Sequence, residues 1–519
     1  MSRDSSYYHK DYSGGLNTSS SKKEIQRNEA SYIRNWDITY RGRLYRRKGL
    51  TQKGDTLTNE IDAIHSYLRG SAGKDVVLIE GGTLRYLNST TWDSLDTGFT
   101  SGTKTWVETC PINRKIYISN QTDTQHSWDR VSTTNNSCLT DLGATVPHGN
   151  VVRWHKNHMF TVNNVTVSAT TYANRLYWSA FGDPDTYDTT NDFLEVPGQG
   201  RAITLGGMGD TLAIFKENSI QFLNGWGDSD WRLTASASNV ANFDEAVGCV
   251  APRGVTRVGN ELWFMDNEGI IRRLYQTDFD AFRRDIVSSK IDDTLAGLNK
   301  NQIEKTVAMT FDDKVYFFVP DGPNTDNNIV LVYDLIASKR TGEEAWTVYD
   351  GWEVSVATVH PTGATIDLYL GDINGKVYIH SGNDDDGVAI SSRWDGKQDD
   401  YDQPDKYKRY SFGYTTADNQ GDIDVGVYAS VDGSPFANIS TFNLQGSGSK
   451  LGPTGSFLLG PTGGCKLSGG EVIENKHYFD AGGNNPQGRT LQMSYRHSAT
   501  GERPYIDTFT NHFKTRTLR

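Results

Sequence analysis

Cysteine is scarce in this chain of 519 residues, and the few that occur lie far apart. No CxxC pair is present and no histidine lies at the spacing of a zinc ligand, so the sequence predicts no zinc site. We interpret the four cysteines as buried thiols, which is typical of a protein assembled in a reducing cytoplasm. They are Cys110, Cys138, Cys249 and Cys465.

Long apolar runs are absent as well. No stretch approaches the roughly 20 residues that span a bilayer, and the N-terminal sequence MSRDSSYYHKDYSGG lacks the apolar core of a signal peptide. We therefore expect a soluble protein that is neither inserted into a membrane nor exported by the usual route.

Basic residues do not balance the acidic ones, and the formal net charge is −12. This excess argues against a protein that wraps nucleic acid by neutralising its phosphates. It does not exclude a wall along which DNA passes, because an acidic surface repels the DNA backbone and permits sliding.

Helical periodicity is nearly absent. The clearest candidate is 279–298, FDAFRRDIVSSKIDDTLAGL, where apolar residues recur every three to five positions and predict one helix. The 26 tyrosines, 12 tryptophans and 52 glycines are instead typical of many short strands joined by turns.

A repeated hairpin organises the chain. The segment 261–275, ELWFMDNEGIIRRLY, places two apolar runs on either side of Asp-Asn-Glu-Gly, residue types that tolerate a tight turn. Near-copies are VVLIEGGTLRYL at 76–87, TLAIFKENSIQFL at 211–223 and IDLYLGDINGKVYIH at 366–380. Looser copies occur at 115–128, 159–167, 175–187 and 314–319 with 329–333.

The spacing of the hairpins predicts the fold class. Their centres lie roughly 35 to 50 residues apart, the period at which four-stranded propeller blades repeat. We predict an all-β protein with a β-propeller over residues 60–385. Seven blades are expected, at about 60–99, 104–142, 150–199, 201–248, 249–300, 305–350 and 351–385.

The regions outside the propeller differ in composition. Residues 1–59 are predicted to form an N-terminal extended arm and a lead-in strand, and the charged stretch 386–409 is predicted to be a linker. From 410 to 519 the alternation of two-period strands predicts a C-terminal β-sandwich-like module, with Gly- and Ser-rich spacers at 446–470.

The N-terminal segments GGLNTSSS, NEASYIRNWDI and RGRLYRRKGL occur in an order that resembles a known signature. It is that of the propeller-bearing nozzle or hub proteins of short-tailed double-stranded DNA phages, also labelled DNA-stabilisation proteins. The segments 174–187 and 214–223 resemble a blade turn and a strand pair of the same family. The matching N-terminal positions are Gly14, Gly15, Leu16, Asn17, Asn28, Glu29, Ala30, Asn35, Asp37, Gly42, Arg46 and Gly49.

This resemblance implies a structural protein of the virion tail and no enzyme or cofactor. It implies a homo-oligomeric ring, a hexamer in the family, below the portal and adaptor ring proteins and assembled in the bacterial cytoplasm. Tail fibres or spikes would attach outside. Double-stranded DNA would pass through the channel without specific binding, so that the ring takes part in genome retention and ejection.

A basic cluster precedes the propeller. In a strand, Arg41 and Arg43 would share one face while Arg46 and Lys48 share the other, with Arg47 between them. A solvated strand face or a salt-bridged surface against an acidic neighbour is favoured over a DNA-binding surface.

Catalytic patterns are weak, and we predict no catalytic, cofactor-binding or metal site. The turn 430–436 approaches a sialidase-type turn but places its glycine one position early, and the glycines of 206–209 precede a strand rather than the helix that a phosphate site needs. His155 and His158, three apart on a strand, are expected on opposite faces. The aspartates 384–386 leave a calcium ion open as an alternative.

Two other functions stay open at this point. A carbohydrate-binding or glycan-degrading propeller would need clustered carboxylates around a glycan-sized cleft. A peripheral hub would bind a receptor or a fibre without lining DNA.

Overall fold

The computed structural model of the chain describes residues 4–70, 73–130, 138–227, 230–235, 246–277, 282–418, 423–444, 472–479, 486–501 and 503–516. Strands dominate it. The helical segments among these residues are short: Asp292–Ala296 (α1), Leu335–Thr341 (α2) and the 3-10 turns Ser289–Ile291 and Lys300–Lys305.

Seven antiparallel four-stranded sheets within the described residues are the blades of a propeller, so the predicted fold class and the count of seven are confirmed. Blade 1 is Ile61–Leu68, Lys74–Glu80, Thr83–Asn88 and Thr91–Thr97; blade 2 is Trp106–Thr109, Ile116–Ser119, His126–Trp128 and Thr140–Asp141. Blade 3 is Val151–His155, His158–Val162, Arg175–Trp178 and Phe193–Glu195, with an added hairpin Val165–Val167 and Thr170–Tyr172; blade 4 is Ala202–Met208, Thr211–Lys216, Ile220–Asn224 and Arg232–Ala235. Blade 5 is Val255–Val258, Glu261–Met265, Ile271–Gln276 and Phe282–Ile286; blade 6 is Val307–Phe311, Lys314–Val319, Ile329–Asp334 and Trp346–Asp350. Blade 7 is Val354–Thr362, Thr365–Asp372, Val377–His380 and Leu50–Gln52.

Each copy of the repeated hairpin supplies the second and third strands of a blade, and in blades 5 and 7 an aspartate side chain holds the turn between them. In blade 5, Asp266 Oδ1 accepts hydrogen bonds from the backbone N–H groups of Glu268 and Ile270, both at 2.9 Å, while Gly269 has a φ of +87°. In blade 7, Asp372 accepts in the same way from the N–H groups two and four residues later. This geometry explains why aspartate and glycine recur at the turns.

The first strands of the blades surround a central channel. Each packs beside the first strand of the next blade, and Val354–Thr362 of blade 7 packs beside Ile61–Leu68 of blade 1, which closes the ring. The fourth strand of blade 7, Leu50–Gln52, comes from before blade 1 and places Gln52 opposite Tyr378. The N-terminal region therefore completes the last blade.

Two further sheets pack face to face as the predicted sandwich, with Trp394, Tyr495 and Phe509 between them. One has the order Trp36–Ile38, Leu44–Arg46, Tyr505–Arg516, Tyr407–Asp418 and Val472–Tyr478, with Asp4–His9 beside Tyr505–Arg516 and Gln487–Gly488 beside Tyr407–Asp418. The other has the order Gly15–Leu16, Glu29–Arg34, Ile390–Asp399, Leu491–Ala499, Asp424–Val431 and Ala437–Asn443. The N-terminal arm is thus built into both sheets of the sandwich of its own chain. The predicted spacers at 446–470 lie outside the described residues.

The linker predicted at 386–409 is wrong, because Ile390–Asp399 is a strand inside the second sheet and Tyr407–Asp418, a strand of the first sheet, begins within the same range. Charge suggested solvent exposure, but the carboxylates of Asp395 and Asp399 are buried with partners. Asp395 pairs with Arg393 at 2.5 Å, and Asp399 pairs with Arg27 of the arm at 2.8 Å.

The helix predicted at 279–298 is also wrong as a single element. Phe282–Ile286 is the outer strand of blade 5, and only Asp292–Ala296 is α-helical. The apolar spacing predicted a single helix wrongly, because Ile286 is 48% exposed and does not share a buried face with the residues that follow. Residues 279–281 lie outside the described part of the chain.

One cluster of buried apolar residues joins the propeller to the sandwich. It extends from Trp263 and Trp346 in blades 5 and 6, through Trp36 of the arm, to Trp394 and Phe513 in the two sheets. The arm therefore lies between the two units and contributes to a core that both share.

Candidate functional site: the arm junction and the central cavity

The arm junction, defined by Glu29, Asn35, Asp37, Arg46 and Arg47 with their partners, contains several residues of the family resemblance. Glu29 is buried, and its Oε1 accepts from Lys290 Nζ at 2.7 Å. Its Oε2 accepts from the Asn17 amide at 3.0 Å and from a backbone N–H at 2.7 Å. Since Lys290 follows blade 5, this carboxylate fastens the arm to the propeller.

Asp37 forms a second link, to blade 6. Its carboxylate accepts from Lys314 Nζ at 2.7 Å and from the Tyr349 hydroxyl, and only 4% of its side chain is exposed. Burial would raise the pKa of Asp37, but the Lys314 ammonium and the Tyr349 hydroxyl outweigh burial and lower it. Burial likewise opposes the charge on Lys314, yet Asp37 holds the pKa of this lysine well above its usual value.

Asn35 and Arg47 connect the arm to blade 6, to the sandwich and to the loop after blade 7. Asn35, at a φ of +56°, donates from Nδ2 to Asp350 Oδ1 at 2.5 Å and to the Ser391 carbonyl at 2.7 Å. Arg47 donates to Asn35 Oδ1 at 2.7 Å and binds Asp385 with two hydrogen bonds of 2.8 and 2.6 Å. Such paired bonds fix the orientation of both side chains.

The aspartates considered for calcium are used by the protein itself. Asp385 binds Arg47, as described above. Asp386 pairs with Lys376 at 3.2 Å, and Asp384 Oδ1 accepts a hydrogen bond from the Gly387 N–H at 2.8 Å. No group of three or more His, Cys, Asp or Glu residues suited to a metal ion occurs in the described part of the chain.

Arg46 is buried at the end of the arm. Its guanidinium donates to the carbonyl oxygens of Ala499 at 2.6 Å and Gly501 at 2.7 Å, and to that of Asn383. Burial lowers the pKa of Arg46 to about 10. This arginine therefore joins the loop after blade 7 to the sandwich.

The other members of the basic cluster divide between paired and exposed side chains. Arg43 pairs with Asp507 at 2.8 Å and with Asp418 at 3.2 Å, both in the sandwich, whereas Arg41 and Lys48 are exposed. With Arg46 and Arg47 buried, the cluster presents no continuous basic surface. The salt bridges that it forms lie within its own chain.

Two glycines of the resemblance lie where no side chain would fit. A Cβ on Gly49 would come within 1.8 Å of the Asp384 carbonyl oxygen, and a Cβ on Gly15, at a φ of +66°, within 2.7 Å of the backbone of Trp346. Close backbone approach requires glycine at both positions.

A cavity of about 400 Å³, the upper cavity, occupies one mouth of the central channel. Residues just before the first strands of the blades contribute much of its wall, among them Lys104, Asn150 and Arg201, and Trp106 at the start of the first strand of blade 2 adds its ring. A volume of this size lies in the range of about 300–1,000 Å³ typical of small-molecule sites.

Arg253 separates this cavity from a second one deeper in the channel, of about 290 Å³, because it lines both. It extends from the segment before blade 5 and donates from Nη2 to the carbonyl oxygens of Asp62 in blade 1 and Thr105 before blade 2, each at 2.7 Å. Burial lowers the pKa of Arg253 to about 10. One side chain thus crosses the channel.

The three other cations of the upper cavity have carboxylate partners: Lys104 with Glu60, Lys305 with Asp326 at 2.8 Å, and Arg201 with Glu217 at 2.6 Å. Among the described residues, Arg253 has no carboxylate within salt-bridge distance. The wall also contains a buried acceptor, since Asn327 is 3% exposed and donates through Nδ2 to two carbonyl oxygens while its Oδ1 has no hydrogen-bond partner in the described chain.

The sequence prediction missed both Arg253 and Asn327. Arg253 stands in the short segment APRGV, and Asn327 in NTDNN, and neither lies in a recognisable motif. Their position just before a first strand or within a blade turn is the only signal that could have identified them.

The two histidines do not follow the prediction of opposite faces. A two-residue turn places His155 directly opposite His158 on neighbouring strands of blade 3, and both rings lie near Phe160. Burial lowers the pKa of His155 to about 4, and His158 Nδ1 lies 2.7 Å from the Ser179 carbonyl oxygen.

The thiols of Cys110, Cys138 and Cys249 are free and buried, as predicted, and burial raises the pKa of each. Cys465 lies outside the described residues. Gly206 and Gly207 lie at the end of the first strand of blade 4, and Gly209 follows in the turn before the strand Thr211–Lys216, so these glycines precede a strand and not a helix, as predicted. The turn 430–436 belongs to the sandwich rather than to a blade.

No protein-family model matches this chain, and no curated protein is significantly similar to it. The solved structures to which it is similar include a β-propeller domain. The WD40 β-propeller domain of Doa1 is 11% identical, and the match covers 64% of this chain and 96% of that domain with a TM-score of 0.40. YCF48 bound to D1 peptide is 10% identical, and the match covers 67% of this chain and 98% of YCF48 with a TM-score of 0.39. PorZ, a bacterial surface component of the type-IX secretion system of Porphyromonas gingivalis, is 9% identical with a TM-score of 0.37, and the match covers 64% of this chain and 37% of the PorZ chain.

None of the helices in the described residues has the length and apolar character needed to span a bilayer.

Proposed function

We propose that this protein is a structural component of a short phage tail. Copies of the chain form a nozzle ring, hexameric by resemblance to the family, around the channel through which the genome leaves the virion. The ring holds the genome until ejection and serves as an attachment point for fibres or spikes below the portal and adaptor proteins. In this proposal the protein is not an enzyme.

The observation that carries the proposal is the placement of the residues that resemble the family. Glu29, Asn35, Asp37, Arg46 and Gly49 are separated by other residues in sequence, yet all lie at the buried contacts that join the arm, the sandwich and blades 5 to 7. A signature that fixes the two units to each other suits a protein whose task is to keep its shape under load.

The central channel of the propeller offers no path for DNA, because Arg253 crosses it. The genome would pass between copies, through the hole of the ring. The net charge of −12 suits such a wall, since an acidic lining repels phosphates and lets the duplex slide. A ring closed by one repeated heterologous contact needs two different faces of each copy.

The proposal is tested by electron microscopy of virions that contain the chain with a C-terminal label. Six labels around the tail axis are expected. Labels on peripheral fibres would select the receptor or fibre hub instead, and absence of the chain from the particle would refute both.

A matched pair of variants tests the role of the arm junction. Glu29→Gln removes a buried charge from the junction, whereas Glu24→Gln changes an exposed glutamate of the same arm. Particles should form with Glu24→Gln and be depleted of the chain with Glu29→Gln. Equal incorporation of both variants would contradict the role proposed for the junction.

A carbohydrate-active propeller is the second candidate, and the cavity beside Trp106 is the observation that favours it. Hydrolysis of host surface glycan by the purified chain would select this function over the nozzle.

A further inference from the structure

We propose that the upper cavity of the channel is a binding site for a small hydroxylated carboxylate, of the kind found in acidic sugars. Arg253 would bind its carboxylate at the base of the cavity. The inference is separate from the tail function, because it concerns the propeller channel and not the hole of a ring.

The donors at the base of the cavity suit an anion, although the carboxylates of Asp62 and Glu60 act on the charge of Arg253 from beyond salt-bridge distance. The other cations of the wall are each held by a carboxylate, whereas Arg253 uses Nη2 for two backbone carbonyl oxygens. Its Nε and Nη1 form no hydrogen bond within the described chain, and the planar fork of a guanidinium suits a carboxylate. The side chain is held in place by blades 1 and 2, so a ligand need not order it.

The wall also offers partners for hydroxyl groups on the same ligand. The side chains of Gln121 and Glu304 line the cavity and are exposed, so they can form hydrogen bonds to such groups. Trp106 is half-buried at the wall, so its ring can contact the apolar face of a sugar ring.

The size of the site excludes large ligands. The cavity holds about 400 Å³ and is closed toward the interior by Arg253. It suits one or a few sugar units rather than a polymer threaded through the propeller. Access is from the face that carries Lys104, Thr122 and Lys305, which are exposed.

Titration calorimetry of the full chain with D-glucuronate, D-glucose and acetate tests this assignment. Glucuronate should bind at least tenfold more tightly than either glucose, which lacks the carboxylate, or acetate, which lacks the hydroxyl groups. Absence of glucuronate binding would overturn the proposal, as would equal affinity for acetate, since that result indicates a general anion site.

Three variants locate the binding. Arg253→Gln should weaken glucuronate at least tenfold, while Arg201→Gln, which removes a cation that Glu217 already neutralises, should change the affinity less than threefold. Thr122→Trp should abolish binding by filling the mouth of the cavity, without loss of a side-chain hydrogen bond in the described chain. If Arg253→Gln unfolds the propeller, Thr122→Trp still tests whether glucuronate binds in the upper cavity. Undiminished glucuronate binding to Thr122→Trp would overturn the assignment.

Discussion

Replacing Asp37 with asparagine should loosen the arm from blade 6. The side chains of Asp37 and Lys314 are 4% and 10% exposed, and their ion pair spans 2.7 Å. Removing one partner of a buried pair costs about 3–5 kcal/mol, because the other charge stays buried without compensation. We expect the local opening equilibrium of the arm to rise by about 10²- to 10³-fold or more, at about 1.4 kcal/mol per factor of ten.

Hydrogen exchange measured by mass spectrometry suits this prediction, because local opening is resolved peptide by peptide. Peptides that cover residues 29–38 and 345–350 should lose protection in Asp37→Asn. Asp312→Asn is the matched control, since Asp312 is exposed in a turn of the same blade at a φ of +49°, which asparagine tolerates.

A double variant separates the ion pair from packing. Asp37→Asn combined with Lys314→Met removes both charges, so it should recover much of the protection lost by either single change. The reasoning would be refuted if the losses of protection in the two single variants simply added in the double variant. It would also be refuted if Asp37→Asn were as well protected from exchange as the Asp312→Asn control.

The pH range of this effect follows from the two pKa shifts. The folded-state pKa of Asp37 is lowered, so its contribution is complete above the unfolded value of about 3.9 and is lost as pH falls through the folded value. The folded-state pKa of Lys314 is raised, so its contribution is complete below about 10.4 and is lost as pH rises through the folded value. The difference between Asp37→Asn and the parent chain should therefore be the same at pH 5 and pH 9.

Other predictions follow from burial and close approach. Burial lowers the pKa of four histidines to about 4, those of His9, His65, His155 and His477. The unfolded chain binds these protons from about pH 6.5 downward and the folded chain does not, so the urea midpoint should fall between pH 7 and pH 4, and a flat profile would contradict this. Gly49→Ala should destabilise blade 7 by about 1–3 kcal/mol through the clash with Asp384, whereas Gly98→Ala, which meets no atom within 4 Å, should leave the thermal midpoint nearly unchanged. Arg47→Lys should cost about 1–3 kcal/mol by losing paired hydrogen bonds, with the exposed Arg41→Lys as its control, and equal melting of the two variants would argue against this role.

The propeller could be predicted because its signals are local. Each blade repeats an apolar strand, an Asp- or Gly-containing turn and a second strand, and these residues determine the hairpin within about 15 positions. The closing strand Leu50–Gln52 was not predicted as part of blade 7, because it is three residues long and its partner lies more than 300 positions away. No local pattern records such a pairing.

The errors outside the propeller share a physical cause. Residues 390–399 are charged and were predicted as a linker, but Arg27 and Arg393 neutralise the carboxylates and let the strand lie inside a sheet. The cavity was missed for a similar reason. Arg253 and Asn327 line one cavity only because the blades close into a ring, so their relation exists in three dimensions and not in sequence.

The shared last blade also sets the timing of folding. About 330 residues separate Gln52 from its partner Tyr378, and at about 5–20 residues per second the ribosome needs roughly 20–60 s to produce the second after the first. During that interval the closing strand has no partner and the six complete blades form an open arc. The seam between blades 7 and 1 is therefore the last contact of the propeller to form, and a nascent chain stalled before residue 378 would expose two unpaired sheet edges to other chains.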